Sequence, residues 1–237
     1  MTTTTRNDLD AIAKDTLYGA GVSASMVRYT FRVFSRFLRE GATLELGPAE
    51  GLMTELLNGA GLPLTLVEGA ETFCEDLRER FPAADVHHAL FEEFETERRF
   101  DNIVLGHVLE HVDDPVAILR RVSPLLADGG RILCAVPNAR SLHRQAGVLM
   151  GHLSFEEDMS PLDVHHGHRR VYTPETLRRD FLAAGLSIEH FGGYWLKPLS
   201  NGQIEEQWTQ EMIEAYLRLG ERYPDIAADI YVVAERG

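Results

Sequence analysis

Thr43-Leu44-Glu45-Leu46-Gly47-Pro48-Ala49-Glu50-Gly51-Leu52-Met53-Thr54-Glu55-Leu56-Leu57 reads as a short buried strand, a glycine-bounded turn and the first turns of a helix. A strand that delivers its chain into a helix N-terminus leaves free backbone N–H groups and positive dipole charge at the strand's carboxyl end. Gly47 and Gly51 leave room there for a ligand to approach the backbone closely. Nucleotide-like ligands bind at such edges of open α/β sheets.

The glycine spacing narrows the ligand. A dinucleotide fingerprint needs glycines at its first, third and sixth positions, which here are Gly47, Ala49 and Leu52. Only the first fits, and Pro48 removes a donor that would cradle a phosphate. The chain contains no Gly-Lys-Ser/Thr ending of a phosphate-binding loop. One strand later, Leu64-Thr65-Leu66-Val67 ends in Glu68-Gly69. A carboxylate about 20 residues after the glycine turn, at the tip of the adjacent strand, is placed to accept hydrogen bonds from two ribose hydroxyls.

The pattern Glu45-x-Gly47-x-x-x-Gly51 resembles motif I of the class I S-adenosylmethionine (SAM)-dependent methyltransferases, with Ala49 where that family often has glycine. Phe100–Gly106 is a central strand, followed by His107-Val108-Leu109-Glu110-His111. That segment is similar to the "LEH" stretch of methyltransferases related to those of ubiquinone biosynthesis. H-x-x-E-H also spells a zinc-protease motif. Such a site needs one long helix, whereas this one follows a strand and meets Asp113-Asp114-Pro115 at once.

The resemblance, which covers residues 41–137 best, implies an α/β, Rossmann-like fold. Its seven-stranded, mostly parallel sheet has helices on both faces and an antiparallel last strand. It divides the chain into an N-terminal helical lid (1–40) and a SAM-binding catalytic domain (41–237), with 139–173 as a cover over the active site. The implied cofactor contacts are Tyr18 and Arg28 from the lid, then Glu45, Gly47, Gly51, Glu68, Gly69, Ala89, Leu90, Leu105 and His107. No acid stands in Ala89-Leu90-Phe91, so backbone and apolar contact to the base is expected there. His107, Asn138, His166 and Tyr172 are the catalytic candidates, an imidazole being able to collect the proton an acceptor loses. His111, His168, Arg170 and Ser200 are the substrate-pocket candidates.

The remaining sequence bounds these expectations. With 23 Lys+Arg against 37 Asp+Glu, the net charge of −14 disfavours nucleic acid and anionic membranes as partners. A small-molecule substrate and a monomer or homodimer are expected. Cys74 and Cys134 lack metal-like spacing and read as free thiols of a cytoplasmic protein. The opening Met1–Arg6 lacks a signal peptide's apolar segment. His165, His166 and His168 do not share a helical face and no cysteine joins them, so no metal is expected. The leading expectation is methyl transfer from SAM to an oxygen or nitrogen of a small metabolite. Two alternatives use the same fold. One is a SAM-consuming cyclase, in which the polar cover groups His166, Tyr172, Asn138 and Ser200 fold the methionyl tail back to form a ring such as azetidine-2-carboxylate and release methylthioadenosine. The other is a SAM-binding subunit without activity of its own.

Overall fold

Near-continuous apolar runs become the middle of a parallel sheet, where helices cover both faces. In the computed structural model, which describes residues 21–237, β1 (Thr43–Leu46) is buried along its whole length, as is β2 (Leu64–Glu68). With β3 (Asp85–His88), β4 (Phe100–Gly106), β5 (Leu126–Pro137), β6 (Leu186–Tyr194) and β7 (Asp229–Arg236), they form one seven-stranded sheet in the order β3-β2-β1-β4-β5-β7-β6. β7 runs antiparallel to both its neighbours, and the other pairings are parallel. The expected mixed seven-stranded sheet is therefore the one observed.

Strand order reverses direction between β1 and β4, so their carboxyl ends open a crevice at the topological switch point. Into the same edge run the turns after β2 and β5 and the loop after β6. Helix α1 (Gly21–Phe34) packs Val22, Tyr29, Val33 and Phe34 inward on one face of the sheet. Ion pairs of Arg32 with Glu214 and of Arg36 with Glu221 tie it to the later helix α9, and Tyr29 Oη donates to Glu221. Within the expected helical lid (1–40), α1 ends at Phe34. The first twenty residues of the expected lid (1–40), including Tyr18, lie outside the described residues.

The other helices follow their caps. Gly51 precedes α2 (Leu52–Gly59) in the left-handed region at φ 74°. After α3 (Glu71–Arg80), Asp114 caps α4 (Pro115–Val122) by accepting from Ala117 N. The cover carries α5 (Leu142–Leu149) and a short α6 (Pro161–His165), the latter inside a stretch expected to be irregular. A Ser160–Asp163 capping box with Pro161 at the first position accounts for α6. Thr173 and Pro174 start α7 (Pro174–Ala183) as expected. Two helices follow the loop after β6, α8 (Asn201–Gln207) and α9 (Gln210–Gly220). Trp208 is extended between them, and Thr209 accepts from Met212 N to open the second.

Candidate active site

The crevice deepens into a cavity of about 1930 Å³, about twice the upper end of ordinary small-ligand pockets and roomy enough for a cofactor beside a second substrate. Its floor is the turn after β1. Gly47 has φ 63°, and a Cβ there would lie 3.3 Å from both Phe91 Cζ and Val108 Cγ2. A side chain is disfavoured twice over, by the left-handed backbone and by contacts that Phe91 and Val108 would have to relieve by a few tenths of an ångström. Gly47 N donates to Val67 O at 2.9 Å, holding the turn against β2. Glu68, 7% exposed, accepts from Ala49 N at 3.1 Å and Ala70 N at 2.9 Å. The Gly69 amide also bonds this carboxylate, and its remaining acceptor capacity is open to a ligand hydroxyl. Burial raises the Glu68 pKa, partly opposed by those amide bonds.

Beside Glu68, Glu45 is buried and accepts from Thr54 Oγ1 at 2.7 Å. Burial lifts its pKa to about 8 against that bond. Ala89, Leu90 and Phe91 line the cavity on the β3 side, where a base is expected to lie. The residues expected for the adenosyl end converge here: Glu45, Gly47, Glu68, Gly69, Ala89, Leu90 and His107 all line the cavity. A ligand with ribose hydroxyls fits these groups, because the amide turn after β1 faces the Glu68 carboxylate.

Three other expected cofactor residues lie off the cavity. Gly51 is beneath the turn, where a Cβ would meet Leu77 Cδ2 at 2.7 Å, so this glycine serves packing. Leu105 is fully buried in the core because β4 alternates its side chains between two covered faces. Arg28 is exposed, and α1 turns Ser23, Met26, Val27 and Thr30 toward the cavity instead. These α1 positions recur at three- and four-residue spacing, one helical face.

The acceptor end centres on the loop after β4. His107 takes φ 60°, uncommon for a residue with a Cβ. Ala49, His107 and Trp195 are the non-glycine residues with positive φ among the described residues, and all three line the cavity. Backbone strain of this kind collects at sites the surrounding structure holds in place. His107 Nδ1 lies 3.4 Å from Oε1 of the fully buried Glu110, and its Nε2 is buried without a hydrogen-bond partner among the described residues. Burial lowers the His107 pKa, but Glu110 outweighs it and the net shift is upward. Burial lowers His111 to about 4, so His111 is neutral near pH 7.

His111, His166, His168 and Ser200 line the cavity as expected. Ser200 is committed to capping α8, accepting from Gln203 N. Asn138 also reaches the cavity, yet its Nδ2 donates to Asp225 O and Ala227 O and its Oδ1 accepts from Arg140 N. Its amide is thus engaged with backbone groups, not free as the catalytic expectation requires. Tyr172 is 1% exposed behind the wall, with Oη 3.3 Å from Asp180 Oδ2, and does not line the cavity. Arg170 also points away and donates to the carbonyls of Leu109, Val112 and Asp113. His166 and His168 face the cavity, whereas the irregular chain beyond them turns Arg170 and Tyr172 behind the loop.

Several lining groups had no assigned role in the sequence reading. Glu110 is one, although it lies within the quoted His107–His111 stretch. Lys197 and Asp229 enter from distant segments, and Lys197 Nζ donates to Asn201 Oδ1 at 2.8 Å. Burial lowers Lys197 to about 8 and raises Asp229 to about 6. Arg144 organises the cover, donating to Asp163 at 2.9 Å, to Glu156 O at 2.9 Å and to Asp158 O. No local signal joins these segments, which meet only at the folded cavity mouth.

Comparison with known proteins agrees with this geometry. A family profile described as a methyltransferase domain matches residues 20–190. The ubiquinone biosynthesis O-methyltransferase of Aeromonas salmonicida is 32% identical over 107 residues, covering 45% of this chain and 44% of that protein. The Xanthomonas euvesicatoria protein of the same name is 27% identical over 164 residues, 67% of each. The fold is also that of a SAM-dependent methyltransferase from Mesorhizobium loti, with TM-score 0.63 and 15% identity over 91% of this chain and all of that one. With a profile match over well more than half its length, this chain belongs to the methyltransferase-domain family, the class I enzymes that use SAM as methyl donor.

Proposed function

We propose that the protein methylates a hydroxyl oxygen of a small molecule. The observation that carries this reading is the His107–Glu110 pair, which lines the same cavity as the Gly47 turn and Glu68. The curated relatives are named as O-methyltransferases, which favours oxygen over nitrogen.

When bound, SAM supplies a methyl group made electrophilic by its sulfonium. Glu68 and the Gly47 turn hold the adenosyl part, and the apolar Ala89-Leu90 stretch covers the base. Glu110 faces Nδ1 of His107, favouring the tautomer with Nε2 free to accept the acceptor's hydroxyl proton. Asn138 holds the β5 loop in place beneath the acceptor end. The cover, 139–173, with Arg144 at its centre, excludes water, and the remaining work is alignment, which can supply about 7–11 kcal/mol. We assign residues 41–237 as the catalytic domain. Among the described residues no helix is long and apolar enough to cross a membrane. Cys74 and Cys134 are buried and unbridged, which supports a reducing, cytoplasmic setting.

The test is incubation with SAM and a panel of hydroxylated and amine-bearing small molecules, read by mass spectrometry. A methylated hydroxyl compound is expected, and His107→Gln should lower kcat about 100-fold or more while leaving SAM affinity within a few-fold. Amine products alone, or an unaffected His107→Gln, would overturn the proposal. SAM incubated without an acceptor should stay intact; release of methylthioadenosine would point to the cyclase alternative instead.

A further inference from the structure

We infer that Lys197 and the wall around it form an anion subsite, so that the acceptor carries a carboxylate in addition to the hydroxyl that is methylated. The inference rests on the methyl-transfer reading of the cavity and names the substrate class for it. Three Lys or Arg side chains line the cavity among the described residues, Arg144 and Arg169 from the cover and Lys197 from the loop after β6. Arg144 is engaged by Asp163, and Arg169 by Asp113. Lys197 has no ion-pair partner among the described residues; its Nζ gives one hydrogen bond, to Asn201 Oδ1 at 2.8 Å, and two donors remain. Nζ also lies over the ring of Trp195, 5.3 Å from its centroid, a contact that favours the charged form. Burial lowers its pKa to about 8, so the side chain is mostly an ammonium at pH 7.

The same wall holds further polar groups without partners. Trp195 is 1% exposed, and its Nε1 makes no hydrogen bond among the described residues; nor does the buried Nδ1 of His143. Both residues line the cavity. Burial first, and the Lys197 charge second, push the His143 pKa down to about 2, so its imidazole is neutral and carries one N–H. Buried polar groups in folded proteins are nearly always bonded, and exceptions point to a ligand or ion. A carboxylate beside Lys197 brings an acceptor of hydrogen bonds to this wall.

Sheet register explains why the group forms here. Pro137, Asp229 and Tyr194 lie side by side, so the chains leaving β5 and β6 converge with the chain entering β7. β6 is the outermost strand on that side, separated from β1 by β4, β5 and β7. The Gly47 turn and Glu68 therefore stand on the other half of the sheet edge, which assigns the anion to the acceptor and not to the methionyl carboxylate of SAM. Asp229 acts electrostatically on both His107 and Lys197, so the two lie within the span of one small molecule. With Asp229 close by, one uncommitted ammonium balances a single negative charge, which favours a carboxylate over a phosphate dianion.

Two readouts test the subsite, one of them without turnover. Trp195 and Trp208 are the chain's two tryptophans, so a Trp208→Phe protein reports on Trp195 alone. Its fluorescence should change saturably with hydroxybenzoates, the matching hydroxybenzamides should bind at least tenfold more weakly, and Lys197→Met in that background should erase the difference. With SAM present, aromatic and aliphatic hydroxy acids are compared with their amides by mass spectrometry. The acids should be methylated with kcat/KM at least tenfold above the amides. Lys197→Met should raise KM for the acids at least tenfold and leave SAM affinity, by calorimetry, within about threefold of wild type. Equal binding of acid and amide, or a preference for the acid that survives Lys197→Met, would sink the inference. So would a tenfold loss of SAM affinity in that variant, because the carboxylate would then be SAM's own. Acids that bind through Lys197 but are never methylated would leave the subsite standing and remove the methyl-transfer reading instead.

Discussion

At Gly47 the structure turns a sequence pattern into a steric requirement. Its positive φ and the 3.3 Å approach to Phe91 and Val108 leave no room for a branched side chain. Gly47→Val should weaken SAM binding at least tenfold by calorimetry, and Glu68→Ala should do the same by removing the carboxylate beside the amide turn. Glu45 makes a different kind of prediction. Its carboxyl has a pKa of about 8 in the fold because burial disfavours the anion, whereas an unfolded glutamate ionises near 4.3. The folded state therefore binds the proton more tightly, and the associated stability is complete below about pH 4 and lost as pH rises through about 8. Relative to Glu45→Gln, the wild type should lose roughly 2–4 kcal/mol of unfolding free energy between those limits, measured by urea denaturation at each pH. A constant difference between the two proteins would refute the buried-acid assignment.

At the scale of elements, the loop after β4 depends on a clamp from the cover. Arg170 donates to three carbonyls, those of Leu109, Val112 and Asp113, and so fixes the backbone that presents Glu110 and His111. Arg170→Met keeps the aliphatic stem but leaves those carbonyls without their charged donor. It should cost about 1.5–3 kcal/mol of stability, read by chemical denaturation. A loss below half a kcal/mol would mean the loop holds itself. In the same segment the irregular backbone, not a regular period, decides direction: His166 and His168 reach the cavity while Arg170 and Tyr172 stand behind it. The split between α8 and α9 has a similarly local origin, because Thr209 supplies a cap in the middle of an otherwise helical periodicity.

For the whole molecule, the cavity lies at a junction of segments that have little contact in sequence: α1, the turns after β1 and β2, the loop after β4, the cover and the segment after β6. A ligand bound there ties them together and stabilises the folded state by mass action. SAM at 100 times its dissociation constant should add about 2.7 kcal/mol, a rise of roughly 5–10 °C in Tm by scanning calorimetry. An unchanged Tm would argue against cofactor binding in this cavity. The strand–turn–helix at 43–57, the carboxylate at Glu68 and the central strand at 100–106 were legible in the sequence, and the reversed last strand only through the family resemblance. Local rules govern them: apolar runs for buried strands, glycine at a left-handed turn, and an acid at a neighbouring strand tip. The roles of Tyr172, Arg170, Asn138 and Arg28 were not legible, because a side chain's direction at a loop depends on what packs behind it. Nor were the partners of Glu110, whose surroundings exist only when residues 107–111 meet residues 163–168. The sequence by itself determined the fold family and the adenosyl end, where contacts are short-range or set by strand order. Only the tertiary structure decided the acceptor end, because its charges and imidazoles are brought together by chain closure across the sheet edge.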